Sequence, residues 1–269
     1  MYQRFFRTAG TIVLFFLLLS FPGTLLASPP EIAGEAAVVI EYETGRILNE
    51  KNARQEMYPA STTKIMTALL ALEHLELEQV ITVPEDQGPA DGSAMYLLPG
   101  EQFTVRNLLD GLMVKSANDA AVLLARTISG SEEAFALEMN RRAAEIGATD
   151  THFVNPNGLP DDRHVTTAYD MALIAREAME NPVFRELVGQ VYVTLDETPQ
   201  TPEKRYFRNT NRFLWSEMMI PYRDTMVPIH YESVDGIKTG YTTAAGHCLV
   251  SSGEKNGVRV VSVVLKSSA

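Results

Sequence analysis

The chain has 269 residues, of which 45% are hydrophobic and 21% are charged, and its formal net charge is −11 at pH 7. This composition is typical of a globular protein with one large domain or two lobes. The negative charge argues against binding to nucleic acid or to anionic lipid, because both repel an acidic surface. The single cysteine, Cys248, excludes a disulfide framework, and the five histidines are not spaced as metal ligands. We therefore expect no metal and no other cofactor.

The first residues of the chain have the pattern of a secretory leader. Arg4 and Arg7 precede an apolar run over residues 12–21, and the small residue Ala27 follows. This pattern predicts a signal peptide over residues 1–27, so that the mature domain extends over residues 28–269. The alternative is an uncleaved membrane anchor, although the apolar run is short for a membrane span.

Two predicted strands and a buried helix come next. Residues 35–42 are rich in β-branched side chains, and residues 46–51 continue after a turn, which predicts a pair of strands. Apolar residues then cover most of the circumference of a helix over residues 59–72, which predicts that it lies inside the domain. Ser61 and Lys64 are three residues apart on this helix, so the hydroxyl and the amine are expected to contact each other.

A lysine on a buried helix is informative, because lysine is rarely buried unless it is paired or functional. Desolvation lowers the pKa of a lysine, and a neutral amine beside a serine can act as its base. The unpaired backbone N–H groups at the start of the helix, near Ser61, suit an oxyanion. The pattern Ser-x-x-Lys is nevertheless weak, since residues 252–255 also match it in a predicted turn.

The middle of the chain is predicted to be helical after short strands and loops over residues 76–103. Asn118, which follows a break between two helices, is open to two interpretations: it caps the second helix, or it binds a substrate. His152 and His164 lie in a loop and are interpreted as structural. Amphipathic helices are predicted at residues 105–113, 119–128, 132–146 and 168–179, with a short one after Pro182.

Strands return in the last third of the chain. Arg205, Arg208 and Arg212 alternate there with aromatic residues, which favours packed stems with solvated charged ends over a basic patch. Cys248 is interpreted as a small buried residue rather than a nucleophile. The predicted strands are residues 191–195, 235–241, 246–252 and 258–265.

The order of strands, helices and strands predicts an α+β fold. We expect an antiparallel sheet flanked by helices, with an α/β lobe of about residues 31–103 and 191–269 and an inserted all-helical lobe of about residues 104–190. The Ser61 helix is expected to lie on the sheet. The turn at Ser116 and the strand containing Lys238 would then form opposite walls of one cleft.

Three short elements together resemble a known set of motifs. Ser61-x-x-Lys64, Ser116-Ala117-Asn118 and Lys238-Thr239-Gly240 resemble the Ser-x-x-Lys, Ser-Asp-Asn and Lys-Thr-Gly motifs of penicillin-binding proteins and class A β-lactamases. With the blocks around them, the chain is similar to the D-alanyl-D-alanine carboxypeptidases among the low-molecular-mass penicillin-binding proteins. This resemblance covers most of residues 34–265 and implies a DD-peptidase/β-lactamase-like fold.

The resemblance implies a serine peptidase that trims peptidoglycan stem peptides ending in D-Ala-D-Ala. It implies that Ser61 is the nucleophile, that Lys64 takes its proton, and that Ser116 relays a proton to the leaving amine. The backbone N–H groups of Ser61 and Tyr241 would form the oxyanion hole, and β-lactams would inhibit by trapping the acyl-enzyme. The substrate-binding residues that it implies are Asn118, Lys238, Thr239, Gly240 and Tyr241.

Two departures from the family pattern affect these expectations. Ala117 replaces the aspartate that is usual in β-lactamases, and no Glu-x-x-Leu-Asn sequence supplies their deacylation base, which favours a carboxypeptidase. The chain also stops at Ala269, where family members continue into a closing helix, often a further domain and an amphipathic tail, and an arginine that helps to bind the substrate carboxylate. We therefore expect a fragment or a product truncated at the C-terminus.

Two alternatives to a carboxypeptidase follow from the same motifs: a catalytically weak protein that binds peptidoglycan or β-lactams, and a serine β-lactamase. In each case the leader predicts an extracytoplasmic location. Membrane association is expected only through an uncleaved leader or a missing C-terminal tail, and nucleic acid is not an expected partner.

Overall fold

The computed structural model describes residues 31–222 and 224–268, and the two ends of this range meet in one antiparallel sheet. The predicted signal peptide lies outside the described residues. The strands are β1 (Ala36–Glu41), β2 (Ile47–Lys51), β3 (Val80–Thr82), β4 (Gln102–Thr104), β5 (Tyr192–Leu195), β6 (Arg205–Arg208), β7 (Met219–Tyr222), β8 (Thr225–Pro228), β9 (Val234–Thr242), β10 (Gly246–Lys255) and β11 (Val258–Ser267).

Six α-helices follow the predicted order, and shorter helical turns of other types adjoin two of them. The helices are α1 (Lys64–His74), α2 (Val105–Asp110), α3 (Asn118–Ser129), α4 (Glu132–Ile146), α5 (Ala168–Ala178) and α6 (Pro182–Gly189). The turns are a 3₁₀ turn at Ala60–Thr63, a π-helical turn at Gly111–Lys115 and a 3₁₀ turn at Arg212–Leu214.

The central sheet has the strand order β2-β1-β11-β10-β9, and all its pairs are antiparallel. β1 pairs with β11 so that Val38 lies opposite Val263, and both side chains are buried. Such pairs of β-branched side chains stabilise a sheet through contacts across the strands. The α+β arrangement predicted from the sequence is therefore confirmed, and β9 lies at one edge of the sheet.

Local sequence signals explain where several helices begin. Thr104 accepts a hydrogen bond from the backbone N–H of Asn107, whose side chain in turn accepts from the Thr104 backbone, and this pair forms a capping box. Ser131 and Thr167 cap α4 and α5 in the same way through their hydroxyl oxygens. These caps satisfy backbone N–H groups that have no partner within the helix.

The position of α1 differs from the expectation that it lies on the sheet. The 3₁₀ turn at Ala60–Thr63 contacts β9 and β10, whereas α1 itself packs mainly against α3 and α5. Instead of α1, the helix α5 packs on the sheet, against β1 and β11. The reason is that α1 is apolar around most of its surface, so it is buried by helices on several sides.

The environment of Arg205 also differs from the prediction that its guanidinium group is solvated. Its side chain is 9% exposed and donates to the carboxylate of Glu101, which is fully buried, at 2.8 Å. Thr198 and Thr201 donate to the same carboxylate. A buried carboxylate requires such partners, because charge is costly to remove from water. The pair joins the residue before β4 to the first residue of β6.

The described residues contain neither a candidate membrane span nor a candidate metal cluster. Within residues 31–222 and 224–268, no helix has the length and apolar character that crossing a bilayer requires. In the same residues, histidine, cysteine and acidic side chains form no cluster of three or more that could hold a metal ion. The described residues from Ile32 onward belong to a single compact unit.

Candidate active site

Ser61 and Lys64 lie at the junction between the 3₁₀ turn and α1. The amine of Lys64 lies 3.0 Å from the hydroxyl of Ser61, as their spacing predicts. In a 3₁₀ turn, residues three apart are eclipsed, which brings these two side chains together. Lys64 is fully buried, whereas Ser61 is partly exposed. The hydroxyl is therefore accessible from solvent, while the amine lies behind it.

The environment of Lys64 favours the neutral amine. Burial, and then the positive charge of Lys238, lower the pKa of Lys64 well below its ordinary value, although Asp119 acts in the opposite direction. Its second hydrogen bond, at 2.7 Å, goes to the backbone oxygen of Asn157. This carbonyl takes one N–H of the amine, which leaves the nitrogen lone pair free to accept the proton of Ser61.

The loop that contains Asn157 is held against the start of α1. Thr67 donates from its hydroxyl to the backbone oxygen of Pro156 at 2.5 Å. The buried ring of His164 contacts the hydroxyl of Thr63 at 2.9 Å and accepts from the backbone N–H of Val154. Burial lowers the pKa of His164 to about 4, so the ring is neutral at pH 7. His164 thus connects this loop to the turn that carries the serine.

Gly158 allows the loop to approach the serine turn. Its φ is +84°, and a Cβ at this position would lie 1.8 Å from the backbone oxygen of Ala60. Gly158→Ala is therefore expected to destabilise the fold by about 3 kcal/mol or more. Gly130 has a similar φ of +82° with no atom within 4 Å of the added Cβ, so Gly130→Ala isolates the conformational cost, about 1–2 kcal/mol. Urea unfolding of both variants measures the difference, and equal losses would contradict the expected contact.

Ser116 and Asn118 form a second wall of the site. Ser116 ends the π-helical turn with a φ of +66°, a left-handed conformation that is costly for a residue with a side chain. Asn118 begins α3, and its amide nitrogen donates to the backbone oxygen of Asp91 at 2.6 Å. The side-chain oxygen of Asn118 is buried and has no hydrogen-bond partner among the described residues. The wall therefore contains a buried acceptor that no described donor uses.

The strand β9 forms the opposite wall. Lys238 is 1% exposed, and burial lowers its pKa to about 7. Gly240 lies against the serine turn, and a Cβ at this position would lie 3.1 Å from the backbone nitrogen of Ser61. The backbone of β9 can approach Ser61 closely because position 240 has no side chain. Tyr241 is 60% exposed, and its ring contacts the ring of His247.

A cleft of about 780 Å³ separates these walls. None of the described residues that line it is aspartate or glutamate. Lys64, Lys238 and Asn118 are buried next to this lining rather than part of it. Of the eight residues predicted for the site, the five that line the cleft are Ser61, Ser116, Thr239, Gly240 and Tyr241.

Sequence reasoning did not identify three residues that shape the site. The backbone oxygen of Asn157 binds Lys64, and Thr210 contacts the hydroxyl of Thr239 at 2.6 Å. Asp119, which is 3% exposed, accepts from the backbone N–H groups of Met95 and Leu97. An acidic residue in the first turn of a helix is a local signal that could have indicated Asp119. The other two contacts join residues far apart in sequence and have no local signal.

Comparisons with known proteins identify similar sequences. The sequence profile of a family described as D-alanyl-D-alanine carboxypeptidase matches residues 24–269. The chain is 37% identical to the D-alanyl-D-alanine carboxypeptidase DacF of Bacillus subtilis, over 97% of this chain and 66% of the relative. It is 32% identical to DacB2 of Mycobacterium tuberculosis, over 86% of this chain and 74% of the relative. DacC of Escherichia coli is 34% identical, and 62% of its length is covered, so the chain spans about two thirds of such relatives.

Solved structures show the same fold. The crystal structure of a D-alanyl-D-alanine carboxypeptidase from Mycobacterium tuberculosis H37Rv has a TM-score of 0.78 and 30% identity, covering 88% of this chain and 84% of that chain. A variant of the Streptomyces K15 DD-transpeptidase has a TM-score of 0.80 and 30% identity, covering 90% and 93%. The predicted DD-peptidase-like fold is therefore confirmed.

Proposed function

Because this chain belongs to the D-alanyl-D-alanine carboxypeptidase family, we propose that it removes the terminal D-alanine from peptidoglycan stem peptides through an acyl-enzyme on Ser61. The observation that carries the proposal is the contact between Ser61 and the buried, desolvated amine of Lys64. A neutral amine at this distance can take the proton of the hydroxyl as it attacks a carbonyl carbon. The bond that breaks is the amide between the two D-alanines.

The other roles follow from the two walls of the cleft. The oxygen of Asn118 accepts the N–H of a substrate amide, because it has no partner among the described residues. Ser116, on the same wall, passes a proton to the departing D-alanine nitrogen. The backbone N–H groups of Ser61 and Tyr241 receive the oxyanion, since Gly240 brings β9 close to the serine turn.

The terminal carboxylate of the substrate is bound by Lys238 and Thr239. A charged amine and a hydroxyl together form strong hydrogen bonds with a carboxylate. The cleft suits an anion, because the described residues that line it include no acidic side chain. Water then releases the acyl group, and β-lactams acylate Ser61 in place of the peptide. Deacylation of the β-lactam is slow in this proposal, because the described cleft lining provides no carboxylate base.

The substrate determines where the protein acts. Peptidoglycan lies outside the cytoplasmic membrane, and the leader predicted over residues 1–27 would export the chain to it. We propose an extracytoplasmic location on these two grounds. The described residues contain no helix that is long and apolar enough to span a membrane.

Turnover of diacetyl-L-Lys-D-Ala-D-Ala by the mature domain, together with labelling by a fluorescent penicillin, tests this function. We expect release of D-alanine and a penicillin adduct that mass mapping places on Ser61. Ser252→Ala is the matched control, and its labelling should be unchanged. Ser252 begins the second Ser-x-x-Lys pattern but lies in β10, where its hydroxyl donates to Asp235 of β9. An adduct at another residue contradicts the proposal. Binding without release of D-alanine supports a binding protein instead, and fast hydrolysis of penicillin supports a β-lactamase.

A further inference from the structure

A groove of about 450 Å³ lies beside the cleft. Lys115 lines this groove, whereas the next residue, Ser116, lines the cleft. The loop before β4 is divided in the same way, since Ser93 lines the cleft and Tyr96 lines the groove. The groove and the cleft therefore adjoin along the wall that contains Ser116, and one branched ligand can occupy both.

Two exposed tyrosine side chains line this groove, which we call the tyrosine groove. Tyr96 is 73% exposed and Tyr206 is 74% exposed. Tyr96 has a φ of +62°, a left-handed conformation that is costly for an aromatic residue. The backbone N–H groups on both sides of it, those of Met95 and Leu97, donate to the carboxylate of Asp119 and hold the loop in this conformation. A pair of exposed aromatic rings in one groove indicates a surface for a ligand.

Arg205 connects the two tyrosines and has an unpaired donor. It precedes Tyr206 in β6, and its Nη2 donates to the backbone oxygen of Tyr96 at 3.3 Å and to Glu101 at 2.8 Å. These bonds hold the loop that carries Tyr96 against β6. The Nη1 of Arg205 is buried and has no hydrogen-bond partner among the described residues. Buried donors are rarely left unpaired, and Arg205 lines the groove, so an acceptor oxygen of a ligand there would satisfy this donor.

The tyrosine groove combines aromatic faces with N–H donors. Lys115, Lys204 and Arg205 line it, and Glu203 is the one acidic residue among its described lining residues. The face of a tyrosine ring is electronegative, so it attracts the C–H groups on the face of a sugar ring. The hydroxyl and acetamido oxygens at the rim of such a sugar accept hydrogen bonds from lysine and arginine. The lining therefore suits a carbohydrate that carries N-acetyl groups.

We propose that the tyrosine groove binds the glycan strand of peptidoglycan, with its N-acetylated sugars stacked on Tyr96 and Tyr206 and an acetamido oxygen bound to Nη1 of Arg205. The stem peptide is attached to this strand, so a glycan in the groove raises the local concentration of the peptide at Ser61 in the adjacent cleft. This inference rests on the proposed function, because that function supplies the polymer. The two tyrosines bind the polymer and take no part in the reaction at Ser61.

The first test compares a polymeric substrate, uncross-linked peptidoglycan that carries pentapeptides, with the free peptide diacetyl-L-Lys-D-Ala-D-Ala. The double variant Tyr96→Ala/Tyr206→Ala is expected to lower kcat/KM for the polymer about tenfold and to change it for the free peptide by less than about twofold. Tyr192→Ala is the matched control, since Tyr192 is 64% exposed on the neighbouring strand β5 but is not among the described residues that line the groove. An equal loss for both substrates, or no loss for the polymer, would overturn the proposal.

Binding of oligosaccharides to the unaltered protein tests the ligand itself. Chitotetraose, the β-linked tetramer of N-acetylglucosamine, is expected to bind about tenfold more tightly than the glucose tetramer cellotetraose, because glucose has no acetamido oxygen for Arg205. Isothermal titration calorimetry measures both Kd values, and the double tyrosine variant is expected to bind chitotetraose at least about tenfold more weakly. Equal Kd values for the two tetramers, or a double variant that binds chitotetraose as tightly as the unaltered protein, contradict the assignment.

Failure of the proposed function gives a different result from failure of this inference. If the protein releases D-alanine from neither substrate but binds chitotetraose through the two tyrosines, the proposed reaction is wrong and the groove assignment stands. If it releases D-alanine from both substrates and does not bind chitotetraose, the reaction stands and the groove assignment is wrong.

Discussion

Lys64→Met is expected to lower the rate of Ser61 acylation by about a thousandfold, because the variant has no base beside the hydroxyl. Methionine has a similar length and no proton-accepting nitrogen, so the serine turn keeps its packing while the chemistry is lost. The rate is measured with benzylpenicillin and with the D-Ala-D-Ala peptide, and Ser61→Ala gives the background.

The same variant separates catalysis from stability. Removing the buried amine relieves a desolvation cost but leaves the Asn157 oxygen without its donor, so the free energy of unfolding should change by no more than about 1 kcal/mol. Lys255→Met, in the second Ser-x-x-Lys pattern, is the matched control and should react at the wild-type rate. A Lys64→Met variant that keeps more than about a tenth of the wild-type rate would rule out Lys64 as the base.

Above pH 7, kcat/KM is expected to fall by about tenfold per pH unit, because Lys238 must be charged to bind the carboxylate. Burial lowers the pKa of Lys238 to about 7, so the amine loses its proton as the pH rises through this value. On the acidic side, kcat/KM rises with pH as Lys64 loses its proton. The two lysines therefore predict a bell-shaped profile, with an alkaline limb near the Lys238 pKa of about 7 and an acidic limb set by the lowered pKa of Lys64.

Two substitutions at position 238 distinguish the limbs of this profile. Arginine stays charged over the whole range, so Lys238→Arg should remove the fall above pH 7. Lys238→Met removes a positive charge that lowers the pKa of Lys64, so the rising limb should move to higher pH. Lys255→Arg is the control and should leave the profile unchanged. A profile of Lys238→Arg that falls at the same pH as the wild type would assign the alkaline limb to another group.

The sequence predicted those features that depend on neighbouring residues. The caps at Thr104 and Thr167 and the bounds of α4 are local signals, and the spacing of Ser61 and Lys64 determines their contact. The order of strands, helices and strands predicted that the three motifs meet in one cleft, and the resemblance to a family supplied the roles of their residues.

Contacts between distant residues account for what the sequence did not predict. Arg205 is separated from Glu101 by 104 residues, and only the folded chain shows that this arginine is buried. The position of α1 against α3 and α5 likewise depends on which of several apolar helices packs on the sheet. Apolar periodicity indicates that a helix is buried but does not indicate which elements pack against it.

The edge position of β9 has a consequence for recognition. No strand pairs with the outer side of β9 within the described sheet, so an extended peptide in the cleft could add to the sheet as a sixth strand. Such pairing would form hydrogen bonds with the main chain of the ligand, which is common to every stem peptide. The side chain of the third residue would then have little influence on affinity. An unprotected edge is also a route to self-association, so the feature that admits substrate would expose the empty protein to strand exchange with its own copies.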